Sequence, residues 1–345
     1  MSNQNLINAK KAKNDEFYTQ YEDVENEIQY YVNHFENKTV LCNCNDTTWS
    51  AFHQYFKNNF GNLKLKKLIC LEYDRKGIRG KAYISKLDAD KDFEIINLFG
   101  CGSFNDDEGI EFLKEADIVC TNPPFSKWRE YFDLLMRYNK KFIIIGNLNA
   151  VSYKNVFPYI KDGKVWGGAT MRAVKAKFVV PENNIYNDRK RDEKDGKLKT
   201  EINNAMWFTN LEYKKRHEDG LFTCSYYPGP NQKEYPKYDN YDAIEVSKAW
   251  MIPCDYEGVM GVPISFLNKL NPDQFEIVGY SCGFRPEGWK LVPQEIIDEY
   301  KKQNPQKASM VKHDTYYIKK DGTIVVPYGR LLIKHKHPQP KFSEK

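Results

Sequence analysis

Short apolar runs alternate with amphipathic or polar stretches through the first half of the chain. Residues 39–44, 68–71, 94–98, 117–120 and 142–145 have the length and apolar content of buried strands. Between them, 49–59, 108–114 and 127–138 read as helices. This β-α-β-α rhythm predicts a mainly parallel sheet with helices on its faces. Two further strands are expected at 164–167 and 205–211. The segment 183–199 between them is densely charged and reads as an exposed loop or hairpin turning at Asp195-Gly196. Beyond about Lys214 the texture changes. Pro, Tyr and Gly cluster, as in Tyr226-Tyr227-Pro228-Gly229-Pro230, and only 263–270 and 293–303 look helical. A boundary near Tyr213 therefore divides the chain into 1–213, with a charged insertion at about 169–204, and 214–345.

Composition narrows the classes. Of 345 residues, 41% are hydrophobic and 29% charged, which supports a core and excludes a wholly disordered chain. Mean hydropathy is −0.71 and no apolar run reaches membrane-spanning length, so no membrane partner is expected. The opening MSNQNLINAK lacks the apolar segment of a secretory signal. Eight cysteines without a C-x-x-C pair suit a reduced, cytoplasmic protein better than a disulfide scaffold. The formal charge of +5 permits a nucleic-acid partner without requiring one.

The chemistry concentrates in Asp117-Ile118-Val119-Cys120-Thr121-Asn122-Pro123-Pro124-Phe125. A buried strand ends there and a stiff turn follows. Open α/β sheets bind ligands beyond the carboxyl ends of their strands. Two prolines fix φ and remove two N–H donors, which leaves carbonyls to face a cleft. The Asn122 side-chain oxygen and the Pro123 carbonyl can each accept one N–H of an amino group attached to an aromatic ring. Those bonds draw the nitrogen towards tetrahedral geometry and turn its lone pair out of the ring plane. They also stabilise the positive charge that grows as it reacts. Phe125 offers a stacking face, and Trp128 or Tyr153 is a candidate for the opposite face. The plainer reading, a strand-terminating turn, is common for Asn-Pro pairs but rarer for the whole strand-Asn-Pro-Pro-aromatic junction.

At these residues the chain resembles amino-methyltransferases that use S-adenosylmethionine, with their Asp/Asn/Ser-Pro-Pro-Tyr/Phe/Trp signature. Lys10-Lys11-Ala12-Lys13-Asn14-Asp15-Glu16-Phe17-Tyr18-Thr19-Gln20 is similar to the opening of the EcoRI-type adenine-specific DNA methyltransferases. So are Phe208-Thr209-Asn210-Leu211, Asp239-Asn240-Tyr241-Asp242-Ala243-Ile244, Gly258-Val259-Met260-Gly261-Val262-Pro263 and Asn271-Pro272-Asp273-Gln274-Phe275-Glu276. The stretch 283–326 carries the least resemblance. What the resemblance implies is an α/β fold: a Rossmann-like class I methyltransferase sheet of seven mainly parallel strands, with a C-terminal target-recognition region. It further implies methylation of the N6 amino group of an adenine flipped out of double-stranded DNA. Carried over by position, Phe17, Tyr18 and Thr19 would hold the methionine portion of the cofactor. Asn43 and Asp46 lie in Cys42-Asn43-Cys44-Asn45-Asp46, where the family has a glycine-rich turn and this chain has no glycine. Asn and Asp tolerate the left-handed conformation such a turn needs. Glu72, or else Asp74, would grip the ribose, and Ser103 and Phe104 would meet the cofactor's adenine.

Cations offer phosphate contacts at Lys10, Lys11 and Lys13; Arg172, Lys175 and Lys177; Arg189, Lys190 and Arg191; and Lys214, Lys215 and Arg216. Arg285, Arg330 and Asn231 are candidates to read base edges. Monomeric action is expected, and a cognate restriction endonuclease would be a functional rather than a physical partner. Rival readings are methylation of RNA or of a protein glutamine through the same motif, or a catalytically dead DNA-binding fold. Other motifs are weaker. Gly279-Tyr280-Ser281-Cys282-Gly283 fits a hydrolase elbow, but Pro286 and Gly288 oppose the helix it needs. Cys42 and Cys44 lack a second ligand pair with zinc spacing. Gly77 to Lys81 fails the phosphate-loop pattern. His335 and His337 sit in a basic tail expected to face solvent.

Overall fold

The computed structural model describes residues 18–45, 50–74, 79–86, 93–180, 190–193, 196–307 and 309–341, with the side chains of 45 and 171–175 left aside. The chain forms two compact units. One runs to Ala150 and resumes over Val165–Lys214; the other comprises Val151–Lys164 and the chain from Lys215 on. The chain thus passes between units at 150/151, 164/165 and 214/215, where the sequence pattern suggested one passage near Tyr213.

The first unit is built on a nine-stranded sheet. Its strands are β1 (Thr39–Asn45), β2 (Lys67–Glu72), β3 (Lys81–Lys86), β4 (Glu94–Asn97), β5 (Ile118–Thr121), β6 (Lys141–Asn147), β7 (Trp166–Val179), β8 (Lys190–Arg191) and β9 (Leu198–Thr209). The order is β4-β3-β2-β1-β5-β6-β9-β7, with β8 paired to β9. The centre, β2-β1-β5-β6, is parallel, and the flanking strands are antiparallel. The expectation of seven mainly parallel strands therefore holds for the centre and needs correction at the flanks. β3 separates β2 from β4, and the supposed insertion at 169–204 contributes the long β7 and most of β9 to the sheet.

The parallel centre reads as continuous apolar sequence because it is covered on both faces. Ile118–Thr121 and 142–146 are buried throughout. Asp117 clamps the entry of β5 to that of β1: its carboxylate accepts from the Thr39 N–H at 2.8 Å, and its own N–H donates to the Thr39 carbonyl at 2.9 Å. Among the described residues, the helices of this unit are α1 (Tyr21–Ile28), α2 (Ala51–Asn58), α3 (Asp107–Glu115) and α4 (Trp128–Arg137). Ser50 caps α2 by accepting from the His53 N–H, and Asp106 caps α3 by accepting from the Gly109 N–H. In α4, Trp128, Tyr131, Phe132 and Leu135 recur at helical spacing and are buried.

Glu27 of α1 is fully buried and holds the helix to β7. Its carboxylate accepts from the Ala169 N–H (2.8 Å), the Thr170 N–H (2.8 Å), the Thr170 hydroxyl (2.6 Å) and the Tyr31 hydroxyl (2.7 Å). Burial pushes its pKa up, and the four donors oppose that shift. Any side chain at Gly168 would collide with it, since a Cβ there would lie 2.3 Å from Oε1.

The second unit holds a four-stranded sheet of β10 (Ala243–Glu245), β11 (Val259–Pro263), β12 (Phe275–Tyr280) and β15 (Arg330–His335), in the order β10-β11-β15-β12. β13 (Tyr317–Ile318) and β14 (Ile324–Val325) form a small hairpin. α5 (Phe157–Lys161) and α6 (Gln294–Gln303) complete the unit. The expected helix at 263–270 is a 3-10 segment, Ile264–Lys269. Phe157 of α5 stacks on Phe284 at 4.6 Å. His335 is not a solvent-facing tail residue: it lies on β15, 8% exposed, against Phe275 at 4.4 Å, with Nε2 2.8 Å from the Pro253 carbonyl. Among the described residues, no helix is long and apolar enough to cross a membrane.

Candidate active site

β5 ends at Thr121, and Asn122-Pro123-Pro124 carry the chain off the carboxyl edge of the sheet. Phe125–Lys127 make one 3-10 turn, and α4 follows at once. The Lys127 N–H donates to the Pro124 carbonyl at 3.0 Å, so that carbonyl is committed to the turn. Pro123 is buried, and the side-chain oxygen of Asn122 is shielded from solvent. Phe125 is half-buried and packs on the core beneath α1 and α2. The four motif residues are therefore held by strand on one side and helix on the other.

The neighbouring strand ends in the turn that the family builds from glycine. Here Cys44 takes the left-handed conformation, at φ 65°, and the β1–β2 ladder shifts register between Cys42 and Asn45. The turn expected of Asn or Asp thus falls on a cysteine. Asn43 is fully buried; its side-chain oxygen accepts from the Tyr131 hydroxyl and its carbonyl from the Thr121 hydroxyl. Its oxygen is directed into the protein rather than offered to a ligand. Asp46 and Phe17 lie outside the described residues.

Tyr18 exchanges backbone hydrogen bonds with Val179, both at 2.9 Å, which ties the segment before α1 to β7. Thr19 is buried, and its hydroxyl has no hydrogen-bond partner among the described residues. At the end of β2, Glu72 accepts from the Tyr83 hydroxyl at 2.7 Å. Asp74 is used by the loop itself: its carboxylate accepts from the Arg79 N–H, and its N–H donates to the Cys101 carbonyl, each at 2.9 Å. Gly102 has φ 77°, and a Cβ there would lie 2.5 Å from the Glu72 carbonyl oxygen. Glycine therefore lets the loop after β4 close on the end of β2. Ser103 donates its N–H to Asp106 and its hydroxyl to Asn105. Phe104 is 4% exposed, edge-on to Tyr131 at 5.0 Å, with the Lys127 ammonium 5.7 Å from its centre. It braces Tyr131 and presents little open face of its own.

Trp128 is unsuited to face a substrate base. Its ring is buried and stacked on Phe132 at 5.3 Å, and its N–H donates to the Ile145 carbonyl at 2.9 Å. Tyr153 falls in the second unit.

The basic candidates separate by environment. Lys10, Lys11, Lys13 and Arg189 lie outside the described residues, and so do the side chains of Arg172 and Lys175, whose backbones belong to β7. Arg191 is exposed and donates to the Gly196 carbonyl at 2.7 Å. Arg285 donates to the His313 carbonyl at 3.0 Å and lies 5.9 Å from the centre of the Trp289 ring, which in turn stacks on Tyr241 at 4.9 Å. Arg330 needs correction as a base reader. Its guanidinium is spent on the buried Glu245 carboxylate, at 2.6 Å from Nη2.

The supposed hydrolase elbow is a strand end followed by a tight turn. Tyr280 and Phe284 bond each other's backbones, and Ser281 Oγ accepts from the Arg330 N–H at 2.8 Å. Cys42 faces Cys70 across the β1–β2 ladder, and both are buried free thiols. Several recurring motifs prove structural. Asn210 accepts from the Phe142 N–H and donates to the Lys140 carbonyl, which seats β9 on β6. Asn240 donates to the Lys290 and Asp314 carbonyls. Thr121 and Tyr131 were missed from sequence, because each reads as an ordinary core position.

The model of the family described as "Adenine-specific methyltransferase EcoRI" matches residues 5–336. The chain is 46% identical over 301 residues to the Type II methyltransferase M.EcoRI of Escherichia coli, covering 82% of this chain and 90% of that protein. It is 44% identical over 272 residues to the Type II methyltransferase M.MgeORF184P of Mycoplasma genitalium, covering 78% and 84%. Against the Type II methyltransferase M.MpnI of Mycoplasma pneumoniae the identity is 42% over 272 residues, covering 78% and 83%. No solved structure matches the chain. With a family match over residues 5–336 that takes in the Asn122-Pro123-Pro124-Phe125 turn, the chain belongs to the EcoRI family of adenine-specific methyltransferases.

Proposed function

We propose that this adenine-specific methyltransferase moves the methyl group of S-adenosylmethionine to the N6 amino group of an adenine turned out of a short duplex DNA sequence. The observation that carries the reading is the placement of Asn122-Pro123-Pro124-Phe125 at the carboxyl end of β5, between a buried strand and α4. Asn122 Oδ1 and the Pro123 carbonyl each accept a hydrogen bond from one N–H of the amine and orient its lone pair. Phe125 stacks on the base. Aligning nitrogen with the methyl carbon is a proximity effect, which is worth many orders of magnitude in rate when well held.

The donor set fits the cofactor. The buried Thr19 hydroxyl, without a partner among the described residues, suits a polar group of the methionine portion. Glu72 at the end of β2 suits a ribose hydroxyl, and Ser103 beside the left-handed Gly102 suits the adenine edge. When bound, S-adenosylmethionine supplies an electrophilic methyl carbon on a sulfonium. The second unit then serves target recognition, with Arg285 on its Trp289–Tyr241 stack as one base- or phosphate-facing group.

The direct test is expression in a host free of adenine methylation, followed by mapping of modified adenines across its genome. Modification at one recurring short sequence is expected. A genome without methylated adenine, in cells that contain the folded protein, would overturn the reading.

A further inference from the structure

Three segments that leave the sheet's carboxyl edge meet on one side chain outside the motif. The Tyr131 hydroxyl donates to the side-chain oxygen of Asn43, near the carboxyl end of β1. The Tyr131 ring takes Phe104, in the loop after β4, edge-on at 5.0 Å. Tyr131 itself stands in α4, the helix that continues the catalytic turn. Thr121, the residue before Asn122, adds a fourth tie by donating its hydroxyl to the Asn43 carbonyl.

The register explains why hydroxyls are needed there. Val40 pairs with Ile118 and Leu41 with Val119 on β1 and β5. Two more steps in that register set Asn43 opposite Thr121. By then β1 has begun to shift around the left-handed Cys44. Side chains therefore bridge the two strands where the backbone ladder has stopped. Asn43, Thr121 and Tyr131 are all fully buried, so water cannot replace any of these bonds.

We propose that Tyr131 and Thr121 are positioning residues that act through Asn43. They lock the carboxyl end of β1 to the Asn122 loop and so fix the line along which the methyl group crosses. This rests on the methyl-transfer reading above, in which the end of β1 lies on the cofactor side and the Asn122 loop on the amine side. Methyl transfer is steeply sensitive to such alignment, because a displacement of about 1 Å can cost on the order of 100-fold in rate. A bond that served stability alone would show no such selectivity.

The test uses the full chain, S-adenosylmethionine and duplex DNA carrying the mapped target. Tyr131→Phe and Thr121→Val each remove one hydroxyl at nearly constant volume, and Thr121→Ser keeps it. Single-turnover methyl transfer, cofactor Kd and the thermal midpoint are measured for each. Tyr131→Phe and Thr121→Val are expected to slow transfer at least ~10-fold with cofactor Kd within about threefold of the parent, and Thr121→Ser to recover most of the rate. The double variant is expected to be little slower than the worse single one, because both ties end on Asn43. Parental rates in both single variants would overturn the proposal. So would a rate loss matched by an equal loss of cofactor affinity, with Thr121→Ser no better than Thr121→Val. Should Tyr131→Phe fail to fold, the Thr121 pair decides alone. Asn122→Ala serves as the control: if it turns over at the parental rate, the methyl-transfer reading of the loop falls, whatever the hydroxyl variants do.

Discussion

Arg330 lies across Glu245 as a two-pronged ion pair, with Nη2 2.6 Å and Nε 3.0 Å from Oε1. The Glu245 side chain is only 4% exposed, and its second oxygen also accepts from the Tyr238 hydroxyl. The pair joins β10 to the start of β15. Removing one member strands a buried charge, a loss of about 3–5 kcal/mol. Arg330→Ala is therefore expected to lower the unfolding free energy, read from chemical denaturation, by that order. At a temperature where it is folded, its sequence preference in methylation mapping should be unchanged. A changed target sequence with parental stability would return Arg330 to the base-reading role.

Asn122→Ala should reduce turnover by about 100- to 1000-fold, the usual cost of losing one preorganised polar contact to a reacting group. Cofactor affinity, measured by calorimetry, should stay close to the parent. Turnover at the parental level would remove Asn122 from the site.

Phe125→Ala should weaken catalysis more than duplex binding, since stacking on a displaced base matters only once the base has left the helix. The comparison is single-turnover rate against gel-shift affinity. Equal losses would argue for a plain packing role, which the contact of Phe125 with the core makes a real competitor.

Gly102→Ala places a Cβ at φ 77° and 2.5 Å from the Glu72 carbonyl oxygen. Backbone strain and the clash act together, so a destabilisation of at least ~1 kcal/mol is expected. Cofactor affinity should fall further than that of a matched surface variant, because the loop carrying Ser103 must move away from Glu72. Parental stability and affinity would show that the two loops are not pressed together.

His335 supplies the pH dependence. Burial pushes its pKa down, partly offset by the bond to the Pro253 carbonyl. The folded form thus binds its proton less readily than the unfolded chain, whose histidine titrates near 6.5. Its stabilising contribution is complete above that value and is lost as pH falls from there through the folded pKa. The slope is at most about 1.4 kcal/mol per pH unit for one proton. Thermal midpoints between pH 7.5 and 5.5 should fall less steeply in His335→Phe than in the parent. Parallel profiles would place the titration elsewhere.

The legible parts of the fold were those whose physics is local. β1, β2, β5 and β6 announce themselves as short apolar runs because both faces of the sheet are covered. The Asn122-Pro123-Pro124 turn was legible as a strand end because two prolines after an asparagine punctuate a strand with few alternatives. β3 was missed, since Lys81-Ala82-Tyr83-Ile84-Ser85-Lys86 mixes charge with apolar residues near the sheet's edge. The bracket on Asn43 could not be read at all. Its partners Thr121 and Tyr131 stand 78 and 88 residues away, and only the adjacency of β1 and β5 brings them together. Arg330 misled for the opposite reason: an arginine in a basic, strand-like segment resembles a nucleic-acid contact until Glu245 is seen beneath it.

The excursion of 151–164 into the second unit bears on how such enzymes could be recombined. Phe157 leaves the first unit's sequence only to stack on Phe284 in the second. A cut after Lys214 would leave that ring on the wrong fragment, stripped of its neighbour. Exchanging the second unit between relatives therefore means exchanging two separate stretches of gene together, the short one and everything past 214, and single-crossover chimeras should be the ones that aggregate.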